Sequence, residues 1–218
     1  MKIFIVVPAH NEEKRISVVL KKLQKTRYKT IVVDDGSTDN TYKISKRYCD
    51  WILKHSVNLG KGAAMKTGIE GAIKLGADAI VFMDSDGQHE VTDLSKFTKK
   101  LNKGYDIVYG SRQWGKGVPA ERLFGNRIVS YMIKVLFKAS ISDILCGYRA
   151  LTVAAYRKII WESSSYAVET EMIIRSAKNN LKYCEVPVAA LYLEDYKGMT
   201  FTHAFSLVFD IFRWRINI

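Results

Sequence analysis

The chain has 218 residues, of which 48% are hydrophobic and 26% are charged, and its formal net charge is +12 at pH 7. This composition excludes a disordered chain and predicts a single domain with a sizeable buried core. The excess of positive charge favours an anionic partner, such as nucleic acid, a phosphorylated substrate or an acidic membrane surface.

The cysteines and the hydropathy pattern bear on the cellular compartment of the protein and on its contact with membranes. Cys49, Cys146 and Cys184 lie far apart without a Cys-x-x-Cys pair, which predicts neither a disulfide framework nor a zinc motif and favours a reducing cytosol. The first apolar run is interrupted by Pro8 and is too short for a signal peptide. No stretch reaches about 18 uncharged apolar residues, so we expect any membrane contact to be peripheral.

The first half of the chain alternates apolar strands with amphipathic helices, and a polar cluster follows each strand. Repeated strand–helix units of this kind predict an α/β fold with a mostly parallel central sheet flanked by helices. Ligands of such sheets bind at the carboxyl ends of the strands. The predicted strands are 3–7, 30–33, 51–53, 79–83 and 106–109, and the predicted helices cover 16–23, 39–48, 63–75 and 94–101.

The stretch from Ile80 to His89 carries the sharpest local signal. Four apolar residues end in Asp84 and Asp86, and Gly87 and Gln88 follow. Residues i and i+2 of a strand point the same way, so the two carboxylates can aim at one point. A divalent metal relieves their repulsion, and oxygen ligands suit magnesium or manganese. The alternative is a solvated turn, in which Asp and Gly are ordinary residues.

The second half changes character after residue 112. The pattern predicts a glycine-containing loop over 113–120, a long basic helix over 121–138 and a polar turn over 142–149. Apolar and basic faces together are typical of interfacial helices, although core helices packed on the sheet remain the alternative. The remaining predicted elements are helices near 153–161 and over 169–179, a strand over 183–191 whose Pro187 indicates a sheet edge, and an amphipathic tail from 201 that ends in Arg213-Trp214-Arg215.

The common glycine-based nucleotide sites are absent from the sequence. The glycines of the first half do not form Gly-x-Gly-x-x-Gly after the first strand, and no Gly-x-x-x-x-Gly-Lys-Ser/Thr loop occurs. What remains is a nucleotide site with a metal on Asp84 and Asp86, an acid such as Asp35 for the base or ribose, and Lys61 near phosphate.

Six motifs follow one another along the chain: 8–13 (PAHNEE), 34–39 (DDGSTD), 58–62 (NLGKG), 84–89 (DSDGQH), 110–112 (GSR) and 143–149 (DILCGYR). In this order and spacing they resemble family-2 glycosyltransferases with the GT-A fold, and within them the dolichyl-phosphate mannose synthases and polyprenyl-phosphate glucosyltransferases. The resemblance runs from residue 3 to about 200 and implies one catalytic domain, 1–218. Residues 1–112 would form its nucleotide-sugar and metal half, 113–200 its acceptor half and 200–218 a C-terminal amphipathic helix.

The resemblance implies a role for each matching position. Asp84, Asp86 and Gln88 would hold Mg²⁺ or Mn²⁺, and Asp86, Asp143 and Arg112 would act at the reacting centre. His10 and Cys146 depart from the family, which more often has Tyr and a hydroxyl residue there. The implied nucleotide-binding residues are Pro8, Ala9, Asn11, Glu12, Asp34, Asp35, Lys61, Asp84 and Ser85. The implied acceptor-phosphate residues are Arg112, Arg122, Asn126, Arg127, Ser130 and Lys197; Arg122, Asn126 and Ser130 share one helical face at i, i+4 and i+8.

The chemistry of sugar transfer favours a phosphate acceptor for this chain. Negative charge grows on the β-phosphate as the sugar leaves, and a metal with nearby Arg or Lys stabilises it. A hydroxyl acceptor needs a general base, whereas a phosphate monoester has a second pKa of about 6 and is mostly dianionic at neutral pH. Many basic residues and no evident catalytic histidine favour the phosphate, with inversion in a single displacement.

We therefore expect transfer of a sugar, mannose from GDP-mannose first, to dolichyl or polyprenyl phosphate by a peripheral enzyme at the cytoplasmic face of a membrane. UDP-glucose as donor and a glycan hydroxyl as acceptor stay open, the latter with Asp143 as base. A nucleotidyltransferase is a different class, but it normally has a glycine- and arginine-containing loop where this chain has 8–13. A nucleic-acid-binding module lacks a recognition motif here, so we expect no nucleic-acid partner.

Overall fold

The computed structural model describes residues 1–112, 120–189 and 201–217, with side chains at 1–112, 125–189 and 207–216. Strands and helices alternate as the apolar periodicity predicts, and a short 3-10 turn (Val91–Asp93) precedes α4. The elements are β1 (Ile3–Ala9), α1 (Ile16–Gln24), β2 (Lys29–Asp35), α2 (Thr41–Ser45), β3 (Trp51–His55), α3 (Lys61–Lys74), β4 (Ala79–Phe82), α4 (Leu94–Asn102), β5 (Ile107–Arg112), α5 (Ala120–Phe137), β6 (Arg149–Thr152), α6 (Val153–Lys158), α7 (Val168–Lys178), β7 (Tyr183–Val188) and α8 (Phe201–Asn217).

The described strands form one seven-stranded sheet in the order β3-β2-β1-β4-β6-β5-β7. All neighbours pair in parallel except β6, which is antiparallel to β4 and to β5. The predicted α/β fold with a mostly parallel sheet is confirmed, and β7 lies at an edge as Pro187 indicated. The carboxyl ends of β1, β2, β4 and β5 therefore meet along one edge of the sheet.

Apolar side chains cover both faces of the sheet because successive strand residues point to opposite sides. Val6, Val33 and Phe82 belong to the core under α3, α5, α7 and α8, which also contains Met65 and Ile133. The second core packs α1 and α4 on the other face and includes Val7, Val32, Val81, Leu20 and Phe97. Polar groups are thereby confined to the ends of the strands.

One local prediction about a strand was wrong, and one strand was not predicted. Pro8 does not stop β1, since it pairs with Val33 inside the strand. The pairing of β1 with β4 ends at Val6, so the N–H that proline lacks would have faced no partner strand. The antiparallel strand β6 was not predicted, because only Ala150 and Leu151 of its four residues are apolar.

The C-terminal helix α8 joins the core through one stripe and exposes another. Leu207, Ile211 and Trp214 are buried, whereas Phe209 and Phe212 are 70% and 52% exposed. The side chains of 201–206 lie outside the described residues. None of the helices in the described ranges has the length and apolar content that crossing a bilayer requires.

Candidate functional site

The loops after β1 and β2 are joined by hydrogen bonds between side chains and backbone. The backbone N–H of Asn11 donates to Ser37 Oγ (3.0 Å), and the N–H of Thr38 donates to Asn11 Oδ1 (2.9 Å). The N–H of Glu12 donates to Thr41 Oγ1 (2.7 Å). Asn11 has φ +54°, a left-handed conformation that asparagine tolerates. The structure thus brings the first two motifs together, and it uses the Asn11 amide oxygen to hold them.

Asp35 organises the loop that leads into α3. Its Oδ1 lies 2.7 Å from His55 Nδ1 and accepts the N–H of Leu59 (2.9 Å), and its Oδ2 accepts the N–H of Gly60 (2.8 Å). The residue is only 3% exposed. Its carboxylate therefore positions the backbone just before Lys61, the first residue of α3, and it can act on a nucleotide through this loop.

Asp34 lies on the opposite face of β2 from Asp35, because adjacent strand residues alternate. It is completely buried, and neither carboxylate oxygen has a hydrogen-bond partner among the described residues. A buried carboxylate without partners is unusual, since such groups are normally satisfied. Its backbone lies opposite Ala9 in the pairing of β1 with β2, so Asp34 adjoins the first motif although its side chain has no polar partner in the described residues.

The centre of the site is an ion-pair cluster that joins three elements of the chain. Lys61 Nζ lies 2.6 Å from Asp84 Oδ1, after β4, and 2.8 Å from Glu169 Oε1, in the first turn of α7. The two carboxylates raise the pKa of Lys61 although burial opposes this. Burial alone would raise the pKa of Asp84, but the positive charge of Lys61 holds it below its ordinary value. Lys61, predicted from the sequence to lie near phosphate, is therefore paired with two carboxylates in this structure.

Glu169 is the main site residue that sequence reasoning missed. It is 3% exposed, and its Oε2 has no hydrogen-bond partner among the described residues. No local signal marks it, because acidic residues are common in the first turn of any helix. Only the packing of α7 against the start of α3 places it beside Lys61.

Asp86 lies in the turn after β4, so the strand alternation invoked for the two acids is not what brings them together. Strand β4 ends at Phe82, and Asp86 Oδ1 accepts the N–H of Gln88 (2.9 Å). Burial and the negative charge of Asp84 raise the pKa of Asp86 to about 6. The neighbouring His89 is buried and stacks on Tyr148, and burial lowers its pKa to about 4, so it is neutral at pH 7.

Asp84, Asp86 and Gln88 fit a divalent cation that is also coordinated by a bound ligand. Asp86 is a partly buried carboxylate whose charge has no basic partner within ion-pair distance in the described residues. Oxygen donors of this kind suit Mg²⁺ or Mn²⁺. The described residues contain no group of three or more His, Cys, Asp or Glu that could hold a metal. Asp84, Asp86 and Gln88 would therefore need further ligands from phosphate oxygens or water.

Gly147 closes over the ion-pair cluster from the 143–149 motif. A Cβ at this position would lie 2.3 Å from Asp84 Oδ2 and 2.7 Å from Lys61 Nζ, so only glycine fits without displacing the charged groups. The buried Arg149 supports this segment by donating to the carbonyl oxygens of Cys146 (2.8 Å) and Ile144 and to that of Glu169. One arginine thus ties the motif to the start of α7.

Arg112 and Asp143, which the resemblance places at the reacting centre, form a bidentate ion pair. Arg112 Nε donates to Asp143 Oδ2 (2.7 Å), Arg112 Nη2 donates to Oδ1 (2.8 Å), and the backbone N–H of Arg112 also donates to Oδ2 (3.0 Å). Asp143 is completely buried. The carboxylate therefore lies inside the protein, where it positions the guanidinium of Arg112.

The predicted phosphate face of α5 is largely committed to the protein itself. Asn126 Nδ2 donates to the carbonyl of Ser142 (2.7 Å), and its Oδ1 accepts the N–H of Ile144 (3.0 Å). Ser130 Oγ donates to the carbonyl of Ile141. These two side chains clamp the chain before Asp143, and their contact with acceptor phosphate stays a prediction.

Arg127 remains available on the same helix. It is exposed and lines a groove of about 620 Å³ between α5, the segment 140–142 and β7, together with Tyr131, Lys134 and Glu185. The side chain of Arg122 and the whole of Lys197 lie outside the described residues. Pro8, Ala9 and Ser85 are buried at the same edge of the sheet.

Comparisons with known proteins show which family and which relatives the chain is similar to. A family model described as glycosyl transferase family 2 matches residues 4–162. An uncharacterized protein of Methanocaldococcus jannaschii is 37% identical over 225 residues, covering 99% of this chain and 93% of that protein. The UDP-N-acetylglucosamine–dolichyl-phosphate N-acetylglucosaminyltransferase of Methanococcus voltae is 34% identical over 217 residues, covering 88% of this chain and 86% of that protein.

A solved structure gives the same fold. The glucosyl-3-phosphoglycerate synthase of Mycobacterium tuberculosis, in complex with Mn²⁺, uridine diphosphate and glucosyl-3-phosphoglycerate, aligns with a TM-score of 0.73. The alignment covers 96% of this chain and 79% of that chain at 19% identity. At this identity the likeness concerns the fold alone, and it confirms the predicted GT-A fold.

Proposed function

Because the chain belongs to glycosyltransferase family 2, we propose that it moves one sugar from a nucleoside diphosphate to the phosphate of a polyprenyl or dolichyl lipid. The motif series and the Methanococcus voltae relative, which is named for dolichyl phosphate, support this acceptor. The family favours sugar transfer over the nucleotidyltransferase and nucleic-acid-binding alternatives.

The observation that carries the choice of acceptor is the bidentate pair of Arg112 and Asp143. A hydroxyl acceptor needs a base within its reach, whereas Asp143 is completely buried and accepts three hydrogen bonds from Arg112. A lipid phosphate needs no such base, since it is already largely dianionic at neutral pH. The guanidinium that Asp143 positions is suited to orient this phosphate.

The residues of the donor side would stabilise the departing nucleotide. Lys61 would bind the diphosphate, because its ammonium lies beside Asp84 at the carboxyl edge of the sheet. Asp84, Asp86 and Gln88 would hold a divalent cation, Mg²⁺ or Mn²⁺, which when bound supplies charge stabilisation for the leaving phosphate. Pro8, Ala9, Asn11, Glu12, Asp34 and Ser85 would line the nucleoside, and Asp35 would set the loop around it. We propose a single in-line displacement with inversion.

Arg127 and Lys134 would extend the acceptor site along the groove beside α5. Both are exposed and line the same cavity, so a phosphate can meet them without breaking the clamp made by Asn126. Arg122 and Lys197 stay proposed acceptor residues on the strength of the motif resemblance. A phosphate held by several cations in a partly enclosed groove is stabilised more than at an open surface.

The lipid acceptor implies that the protein works at a membrane surface, and we propose that α5 and α8 face it. Ile128, Tyr131 and Val135 are exposed on α5, and Phe209, Phe212 and Ile216 are exposed on α8. Exposed basic side chains accompany both sets, including Lys134 and Arg213. This combination is typical of helices that lie in the interface and bind anionic headgroups. We place the enzyme at the cytoplasmic face.

The donor sugar is the least constrained part of the proposal. The motifs resemble mannose and glucose synthases, whereas the Methanococcus voltae relative is named for N-acetylglucosamine. The donors to test are therefore GDP-mannose, UDP-glucose and UDP-N-acetylglucosamine.

The test is product formation from each radiolabelled donor with dolichyl phosphate, in Mg²⁺, in Mn²⁺ and in EDTA. We expect label in the organic phase from one donor, lost in EDTA and in Asp86→Ala, and retained in the exposed control Glu162→Gln. Label that goes only to an oligosaccharide hydroxyl, with none in lipid, would overturn the phosphate acceptor. Activity that is unchanged by EDTA and by Asp86→Ala would overturn the metal site.

A further inference from the structure

The ion-pair cluster gives Lys61 two acidic partners with different surroundings. Asp84 lies at the predicted cation site, and its side chain is 22% exposed. The side chain of Glu169, at the N-terminus of α7, is only 4% exposed. Glu169 Oε2 has no partner in the described residues, so this carboxylate has an unused acceptor within the cluster. Glu169 also lies off the motif positions that the family resemblance assigns to nucleotide and metal.

The Asp84 carboxylate can pair either with the ammonium of Lys61 or with a divalent cation. Its Oδ1 is 2.6 Å from the ammonium of Lys61, and Gly147 packs against both groups. A divalent cation beside Asp84 and Asp86 would stand next to this ammonium, and like charges at such distances repel strongly in a partly buried site. Lys61 and a cation therefore compete for Asp84 as long as no other anion is present.

We propose that Lys61 acts as a resident counter-ion that keeps divalent cations off Asp84 until a nucleoside diphosphate arrives, and that Glu169 holds Lys61 once Asp84 is released. This proposal rests on the metal site of the proposed function. Lys61 is a positioning residue in the free protein and a phosphate contact in the loaded one. The chain would consequently bind the cation and the diphosphate together.

The charges explain why the diphosphate reverses the balance. Its negative charge attracts the ammonium and the cation alike, so their mutual repulsion is offset only when all three are present. Glu169 supports the ammonium in this state, because it is buried beside α3 and its second oxygen can accept a further hydrogen bond. Removing the Lys61 ammonium should therefore strengthen cation binding in the absence of nucleotide and weaken cation binding in its presence.

The test measures Mn²⁺ binding to the full chain by the electron-paramagnetic-resonance signal of free Mn²⁺, with Mn²⁺ alone, with UDP and with GDP. In Lys61→Met we expect Mn²⁺ alone to bind about tenfold tighter than in wild type, because a competing charge is gone. We expect Mn²⁺ in the presence of the nucleotide to bind about tenfold weaker, because a phosphate contact is gone. Lys66→Met, on the same helix and outside the ion-pair cluster, should match wild type in both conditions.

Opposite changes in Mn²⁺ affinity without and with nucleotide, here called the crossover, distinguish this role from a purely structural one. Loss of binding in both conditions for Lys61→Met, or a gain in both, would overturn the exchange. Glu169→Gln gives a second reading, since Lys61 would then rest on Asp84 alone; Mn²⁺ alone should bind more weakly than in wild type, and tighter binding would contradict the proposal. The assay needs neither lipid nor sugar, so the crossover can stand if no lipid product forms, and lipid transfer can stand if the crossover fails.

Discussion

Arg112 binds Asp143 through the Nε–Nη2 edge of its guanidinium and through its own backbone N–H, and Asp143 has no solvent exposure. The pair joins the end of β5 to the segment before β6, so it fixes where the guanidinium lies in the site. A buried acid bound in this way orients its partner.

Asp143→Ala should lower the free energy of unfolding by roughly 3–5 kcal/mol, because it leaves the charge of Arg112 without its partner. Urea denaturation measures this loss. Asp143→Asn should keep part of the geometry and slow transfer to lipid phosphate by about tenfold or more, with an unchanged shape of the pH–rate profile. Disappearance of the acidic limb in Asp143→Asn would instead identify Asp143 as a general base.

Asp86 should cost stability in the metal-free protein at neutral pH. Its folded pKa is about 6, above the ordinary value of 3.8, because of burial and the charge of Asp84. Between these two values the folded state binds more protons than the unfolded state, so stability falls as pH rises through this window. Asp86→Asn removes the ionisation, and its advantage over wild type should be absent below about pH 4 and complete above about pH 6.

We expect this advantage to reach roughly 1–2 kcal/mol, a value discounted for the partial exposure of the side chain. Unfolding in urea with EDTA, measured from acidic to neutral pH, gives the profile. Glu162→Gln, an exposed acid distant in sequence, is the control. An Asp86→Asn advantage that is equal at all pH values would argue against the raised pKa.

The apolar pattern was sufficient to predict most strands and helices, because the central strands β1, β2 and β4 are buried on both faces. It also placed the motifs at one edge of the sheet, since parallel strands share the direction of their carboxyl ends. The strand β6 escaped prediction because, unlike the equally short β4, it carries polar residues at both of its ends. Its position in the sheet depends on pairing with β4 and β5, which no local pattern encodes.

The roles of site residues were harder to predict than their location. Asp35 and Asn126 have polar side chains that could bind a ligand. In the structure, both form hydrogen bonds with backbone groups of other segments instead. Sequence specifies which donors and acceptors exist, but only the packed structure shows which are already satisfied. Glu169 shows the converse, because an ordinary helix-start acid becomes a site residue when α7 packs beside Lys61.

Asn126 and Arg127, adjacent on α5, should separate a structural effect from an acceptor effect. Asn126→Ala removes two hydrogen bonds and leaves the Ser142 carbonyl and the Ile144 N–H without a partner. We expect the free energy of unfolding to fall by roughly 2–4 kcal/mol. Arg127→Ala should leave stability within about 0.5 kcal/mol, because the side chain is exposed, and should raise the KM for lipid phosphate.

Thermal or urea unfolding and transfer assays at varied lipid phosphate distinguish the two variants. The assignment of Asn126 to the clamp would be wrong if Asn126→Ala kept wild-type stability and lost affinity for the lipid. An unchanged KM in Arg127→Ala would remove this arginine from the acceptor site.

The exposed phenylalanines of α8 should govern binding to membranes. Phe209 and Phe212 are 70% and 52% exposed while Leu207 and Ile211 on the same helix are buried, so the exposed pair can be changed without opening the core. Phe209→Ser with Phe212→Ser should reduce binding to vesicles of mixed zwitterionic and anionic lipids by about tenfold or more, because inserted aromatic area contributes on the order of 25 cal/mol per Å².

Vesicle co-sedimentation measures this binding, and Val18→Ser with Val57→Ser provides a matched control because both valines are exposed elsewhere, at 55% and 59%. If apolar exposure in general drove binding, the two double variants would lose it equally. Binding that depends on α8 should also weaken with salt, since Arg213 and Arg215 beside the phenylalanines are exposed and would meet anionic headgroups. Equal loss in both double variants, or binding that salt leaves unchanged, would show that α8 is not the membrane-facing surface.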